Sequence, residues 1–164
     1  RYASPAVCTT AELGVVLPPR NNATPTMPSL PTPANSADAP FPEPQMAALE
    51  QLLRGIMERW AIPPEGVIGH SDMAPTRKCD PGPRFDWRRL ALQGLSVWPE
   101  TAEPGDFASS LARSGSPAAS PENLLAAFRL RFRPGASGPE SDTDRAMAAS
   151  LAARFPVDAR AGTA

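Results

Sequence analysis

Proline sets the first limit on this chain. There are 22 prolines in 164 residues. Each removes a backbone donor and fixes φ, so regular structure is confined to the stretches between them. They are dense in NNATPTMPSLPTPANSADAPFPEP, residues 21–44, which reads as a loop with almost no charge. A structureless connection of that length is unusual inside a compact domain. The ordered core is therefore smaller than the length suggests, enough for one modest domain or two small ones.

Between the prolines, apolar spacing predicts the elements. Leu13-Gly14-Val15-Val16-Leu17, closed by Pro18-Pro19, is short and partly β-branched, and is expected to be a strand in need of neighbours. Met46, Leu49, Leu52, Leu53, Ile56, Met57 and Trp60 recur at three- and four-residue steps, which predicts a helix over 44–60 ended by Pro63-Pro64. On it Glu50 stands four residues before Arg54, the spacing of a supporting ion pair. Val67-Ile68-Gly69 is expected to be a very short strand that delivers His70. Phe85 to Ala91 predicts a short helix, with Asp86 as its cap and Trp87, Leu90 and Leu95 turned inward.

PETAEPG, residues 99–105, is the expected domain boundary. Beyond it a weak helix is expected over 105–113. A stronger one starts near Ser120, carries Leu124, Leu125, Phe128 and Phe132, and stops at Pro134-Gly135. A last helix covers 142–154, with caps available in Ser141-Asp142-Thr143-Asp144. The expected organisation is a first unit over 1–99, a small helical unit over 100–157, and a flexible tail over 158–164.

Charge excludes some classes of partner. Lys+Arg is 16 and Asp+Glu is 17, a formal net charge of -1, so nothing draws the chain generally to nucleic acid or acidic lipid. Arg129, Arg131 and Arg133 alternate with Leu130 and Phe132. With no basic field around them they read as a solvated helix end, and no nucleic-acid partner is expected. No apolar run is long enough to span a bilayer. Two cysteines, Cys8 and Cys79, fix neither a disulfide nor a compartment. The opening RYASPAV lacks an initiator Met, which suggests a processed or incomplete chain.

Chemistry concentrates in VIGHSDMAPTRKCDPGPRFDWRRL, Val67 to Leu90, which holds the chain's one histidine. His70 and Asp80 are competent zinc ligands, and nine residues lie between them, enough to loop out and return to one metal. Pro81, Gly82 and Pro83 are able to stiffen the return. Lys78 is placed to set a cation beside that metal and stabilise an oxyanion. Asp72 is able to accept the other imidazole proton of His70 or to cap the turn that follows. On spacing alone His70 also reads as an ordinary polar residue, and Lys78 with Asp80 as a surface ion pair.

The segment IPPEGVIGHSDMAPTRKCDPGPRFDWRRLA closely resembles the C-terminal half of the zinc-dependent N-acetylmuramoyl-L-alanine amidases of the type-2 amidase family, related to the peptidoglycan recognition proteins. The shared pattern is Gly-His-Ser-Asp, Ala-Pro, a basic residue, Lys, any residue, Asp-Pro-Gly-Pro, and a helix with Phe and Trp. The upstream helix FPEPQMAALEQLLRGIMERW looks like the family helix before this motif. Residues 104–157 more loosely resemble a small three-helix peptidoglycan-binding domain.

The resemblance implies an α/β fold: the C-terminal portion of a mixed-sheet amidase domain with few strands of its own, followed by a small helical domain. It implies a hydrolase that cleaves the amide between N-acetylmuramic acid and L-alanine. His70 and Asp80 would be zinc ligands, and Lys78 the lysine that assists the transition state. It implies peptidoglycan or muramoyl peptides as partners, and a bacterial envelope or periplasmic location, with the cytoplasm as the alternative. Two positions depart from the family pattern. The first zinc histidine has no counterpart, and Val16 falls where the family has a glutamate general base. The missing ligands and strands are then expected from another polypeptide or an upstream segment. A second reading is a non-catalytic amidase homologue that binds peptidoglycan or serves as a structural subunit.

Overall fold

The computed structural model describes residues 39–157, and all regular elements among them are helical. The expected strand at 13–17, most of the proline-rich loop, Cys8 and the 158–164 tail lie outside the described residues. Six α-helices run in order: α1 (Glu43–Trp60), α2 (His70–Met73), α3 (Trp87–Leu92), α4 (Phe107–Arg113), α5 (Pro121–Phe132) and α6 (Asp142–Arg154). A 3-10 turn over Pro64–Gly66 joins α1 to α2.

Helix α1 begins inside the last residues of the expected loop, with Pro44 in its first turn, where a missing N–H leaves no intrahelical bond unmade. Its buried face is Met46, Leu49, Leu53 and Ile56. These pack with Phe41, Ile62, Val67, Phe85, Trp87, Leu90 and Leu95. Phe85 sits edge-on between Phe41 and Trp87, with ring centroids 5.1 and 4.8 Å away, a geometry that suits the ring quadrupoles. Arg89 of α3 reaches across to Glu43 and Glu50 of α1. Glu50 therefore pairs between helices rather than with Arg54, which instead meets Gln93.

The later helices form a second cluster of Val97, Phe107, Leu111, Phe128, Phe132, Ala148 and Leu151, with α4 packed on α6. Each starts on a side-chain cap. The Asp106 carboxylate accepts from Ser109 N–H at 2.8 Å, and the Ser120 hydroxyl from Asn123 N–H at 3.4 Å. Ser141 and Asp144 cap each other's backbone N–H reciprocally, each such cap being worth about 1 kcal/mol. Trp98 packs against both clusters, so the two share a wall.

Two expectations need correction. Val67–Gly69 is extended, with Val67 at φ -90° and Gly69 at φ -88°, but it is not paired as a strand. Side chains and local turns meet its backbone polar groups instead: the Val67 carbonyl accepts from Arg131 Nη2 at 3.1 Å and the Gly69 N–H donates to Asp72 Oδ2 at 2.9 Å, while the Val67 N–H donates to the Pro64 carbonyl and the Gly69 carbonyl accepts from the Asp72 N–H, both at 3.2 Å. The mixed α/β sheet implied by the resemblance thus has no strand among the described residues. Nor are the α5 arginines a solvated helix end. Arg129 and Arg131 are buried, and a buried guanidinium must find acceptors inside the protein.

Candidate functional site

The site is one loop folded back on itself. Gly69 leads into the single turn of α2, His70–Met73. The chain then turns through residues 75–77, where Arg77 and Lys78 both donate backbone N–H to the Ala74 carbonyl at 2.9 Å. It returns as Lys78-Cys79-Asp80, and the Ser71 N–H closes on the Asp80 carbonyl at 3.1 Å. A cis peptide bond joins Asp80 to Pro81. Gly82 follows at φ 91°, a left-handed backbone that glycine adopts without a Cβ penalty.

Closing the loop brings two predicted residues together. His70 Nδ1 lies against Asp80 Oδ2. Asp80 is buried, while His70 keeps part of its ring accessible. Lys78, between them in sequence, is exposed. Cys79 is disulfide-bonded, and the chain's other cysteine, Cys8, lies outside the described residues.

The close approach of the two arms depends on Gly69. A Cβ there would stand 3.0 Å from Pro81 Cδ, 3.1 Å from Trp87 Cζ2 and 3.4 Å from the Asp80 carbonyl. Trp87, buried at the start of α3, is thus the floor on which residues 69 and 81 meet.

Asp72 takes neither of its expected partners. Its Oδ2 accepts the Gly69 N–H at 2.9 Å and the Arg131 Nη1 at 2.6 Å. Arg131 and Ser96 are the residues that reading the sequence missed. Arg131 Nη2 reaches Ser96 Oγ at 2.9 Å, and its guanidinium carbon lies 4.3 Å from the Trp87 ring centroid. One signal pointed to it: Arg131 stands four after Ala127 and three after Phe128, on the apolar face of α5.

Arg129 and Arg133, the neighbouring arginines, converge on Asp144 of α6 at 2.6 and 2.7 Å. Burial alone would raise the Asp144 carboxyl. The hydrogen bonds from Arg129, Ser141 and Arg133 outweigh it and hold the group well below the usual carboxylate range.

The donor chemistry of the central pair fits zinc. An imidazole nitrogen and a carboxylate oxygen are two of the three protein ligands that a catalytic zinc commonly takes. Among the described residues no group of three His, Cys, Asp or Glu stands together, and the chain has one histidine.

Residues 24–83 match the family profile of N-acetylmuramoyl-L-alanine amidase. The chain is 37% identical to the N-acetylmuramoyl-L-alanine amidase AmiD of Escherichia coli (strain K12), over 73% of this chain and 51% of that protein. It is 40% identical to the 1,6-anhydro-N-acetylmuramyl-L-alanine amidase AmpD of Enterobacter cloacae, over 31% of this chain and 27% of the relative. The chain thus spans about half the length of AmiD and less of AmpD.

Among solved structures, it superposes on E. coli AmiD in complex with anhydro-N-acetylmuramic acid-L-Ala-D-gamma-Glu-L-Lys, with TM-score 0.62 and 36% identity. That match covers 71% of this chain and 54% of the other. It also superposes on AmpDh3 from Pseudomonas aeruginosa, with TM-score 0.64 and 28% identity, over 71% and 55%. Profile, relatives and solved structures agree with the Gly-His-Ser-Asp to Asp-Pro-Gly-Pro loop, and over the matched residues the chain is similar to the type-2 N-acetylmuramoyl-L-alanine amidase family.

Proposed function

We propose that this chain is the distal part of a peptidoglycan amidase. Its reaction is hydrolysis of the amide between the lactyl group of N-acetylmuramic acid and L-alanine, with a substrate of the anhydromuramoyl-peptide class seen in the AmiD complex. The observation that carries this reading is the convergence of His70 Nδ1 and Asp80 Oδ2 from the two arms of one closed loop. Zinc, when bound, would supply a Lewis acid for the amide carbonyl and the attacking water. His70 and Asp80 would hold it. Lys78, exposed on the return arm, would offer its ammonium to the oxyanion as charge develops.

The reading places 1–99 as the amidase part and 100–157 as a small helical unit of the peptidoglycan-binding kind. A further zinc histidine, a general base and the strands of a mixed sheet would come from outside this chain, from another polypeptide or an upstream segment, since its one histidine is His70. A wall-derived substrate points to the bacterial cell envelope or periplasm. Among the described residues no helix is long and apolar enough to cross a membrane.

The test is to express the reading frame that contains this chain, with any sequence preceding Arg1, and incubate it with an anhydromuramoyl tripeptide. Release of a tripeptide with a free L-alanine amine is expected by mass spectrometry. It should require zinc and be lost in His70→Ala. No release, together with retained binding to peptidoglycan sacculi, would instead establish the non-catalytic binding role.

A further inference from the structure

We infer that Arg131 is a positioning residue for His70, through which the small helical unit sets the geometry of the candidate metal pair. The inference rests on the amidase reading of that pair and adds a role that lies about sixty residues downstream.

Arg131 grips the His70 turn from both sides. Upstream, Nη2 donates to the Val67 carbonyl at 3.1 Å. Downstream, Nη1 donates to Asp72 Oδ2 at 2.6 Å, and the same oxygen accepts the Gly69 N–H at 2.9 Å. Beneath, its guanidinium lies over Trp87, the ring against which Gly69 packs. Residues 67 and 72 are thereby held directly by one side chain and Gly69 through Asp72, and His70 lies between them. A single helical turn has too few internal bonds to hold its own orientation, so α2 takes its direction from these contacts.

Stability alone does not account for this arrangement. Arg131 has 5% of its side chain exposed, and among the described residues its buried Nε has no hydrogen-bond partner. A buried, incompletely satisfied cation is commonly no more stabilising than an apolar side chain of the same volume. What the arginine supplies is direction: a planar fork with fixed donor angles.

His70 is the chain's one histidine, so its Cε1–H gives a single assignable proton–carbon NMR signal, the His70 signal followed below. The test compares Arg131→Met, Arg131→Lys, Asp72→Asn and Arg129→Met in the whole chain. It reads the His70 signal and Gly69 amide exchange without metal, then follows a titration with zinc chloride. In Arg131→Met the His70 signal should shift or split, and Gly69 exchange should speed up about tenfold. Arg131→Lys should recover part of the wild-type signal. Arg129→Met, which breaks the Asp144 pair but not the Asp72 contact, should lower the melting temperature and leave the His70 signal in place.

A wild-type His70 signal and Gly69 protection in folded Arg131→Met would overturn the inference. If that variant does not fold, an unchanged signal in Asp72→Asn would do so. Failure of the wild type to take up zinc counts against the amidase reading of this chain alone. The metal-free His70 signal would still decide the role of Arg131.

Discussion

Arg129 Nη2 stands 2.6 Å from Asp144 Oδ2, and that carboxylate has no exposed surface. The contact ties α5 to α6 beneath the loop at Gly138 and Pro139, whose carbonyls Arg129 also holds at 2.6 and 2.8 Å. Asp144→Ala would leave two guanidinium groups facing an empty position. Breaking one side of a buried pair costs about 3–5 kcal/mol, so a large drop in the urea midpoint is expected.

The same carboxylate sets an acid limit. Its folded-state pKa is lowered, so the stability it contributes is fully present above the unfolded value, about 3.9. That stability is lost as pH falls below this value toward the folded pKa. Thermal melts from about pH 6 to about pH 2 should show a steep loss below about 4. The loss should be flatter in Asp144→Asn, and an identical slope would exclude this origin.

Gly69→Ala tests the floor of the candidate site. Gly69 has φ -88°, which alanine adopts freely, so any effect is steric. The added methyl would press on Pro81 and Trp87 at 3.0 and 3.1 Å. Overpacking of this kind costs about 1–3 kcal/mol. It should also displace the His70 signal, because the two arms cannot close as tightly. A variant with native stability and an unmoved signal would show that the loop yields without strain.

Arg89→Ala should behave differently. The clamp on Glu43 and Glu50 is partly exposed, and its hydrogen bonds lower the pKa of both carboxylates. Surface ion pairs are screened. A small loss of thermal stability is expected in low salt, shrinking toward zero in 1 M sodium chloride, a concentration at which the Debye length is about 3 Å. A loss independent of salt would point to packing of the arginine stem instead.

Trp98→Ala should separate the two clusters. Trp98 packs on both and meets Phe132 edge-on at 5.6 Å. Removing a buried aromatic costs about 3–5 kcal/mol, and this ring is only partly buried, so the lower end is expected. Hydrogen exchange should show residues of α4 and α6 opening at a different free energy from those of α1. A single cooperative loss would mean that the other contacts suffice to couple them.

The helices were legible because their signals are local. The apolar spacing from Met46 to Ile56 and the caps at Asp86, Ser120 and Ser141 each specify structure within a turn or two. The pairing of His70 with Asp80 came from a motif whose spacing implies a loop. Val67–Gly69 was misread because its residues favour extension, and no sequence pattern tells an extended segment held by side chains from one held by a ladder. The arginines failed for a similar reason. Charge suggested solvent, whereas the partners that make burial tolerable, Asp72 and Asp144, stand 59 and 11 to 15 residues away.

Arg131 also bears on how such proteins can be recombined. A chimera spliced at 99–105 would join two pieces whose sequences look self-sufficient, yet it would part Asp72 and the Val67 carbonyl from the side chain that orients them. A foreign C-terminal partner would have to bring an arginine of its own to that place. The seam in the sequence and the seam that permits exchange are therefore in different positions.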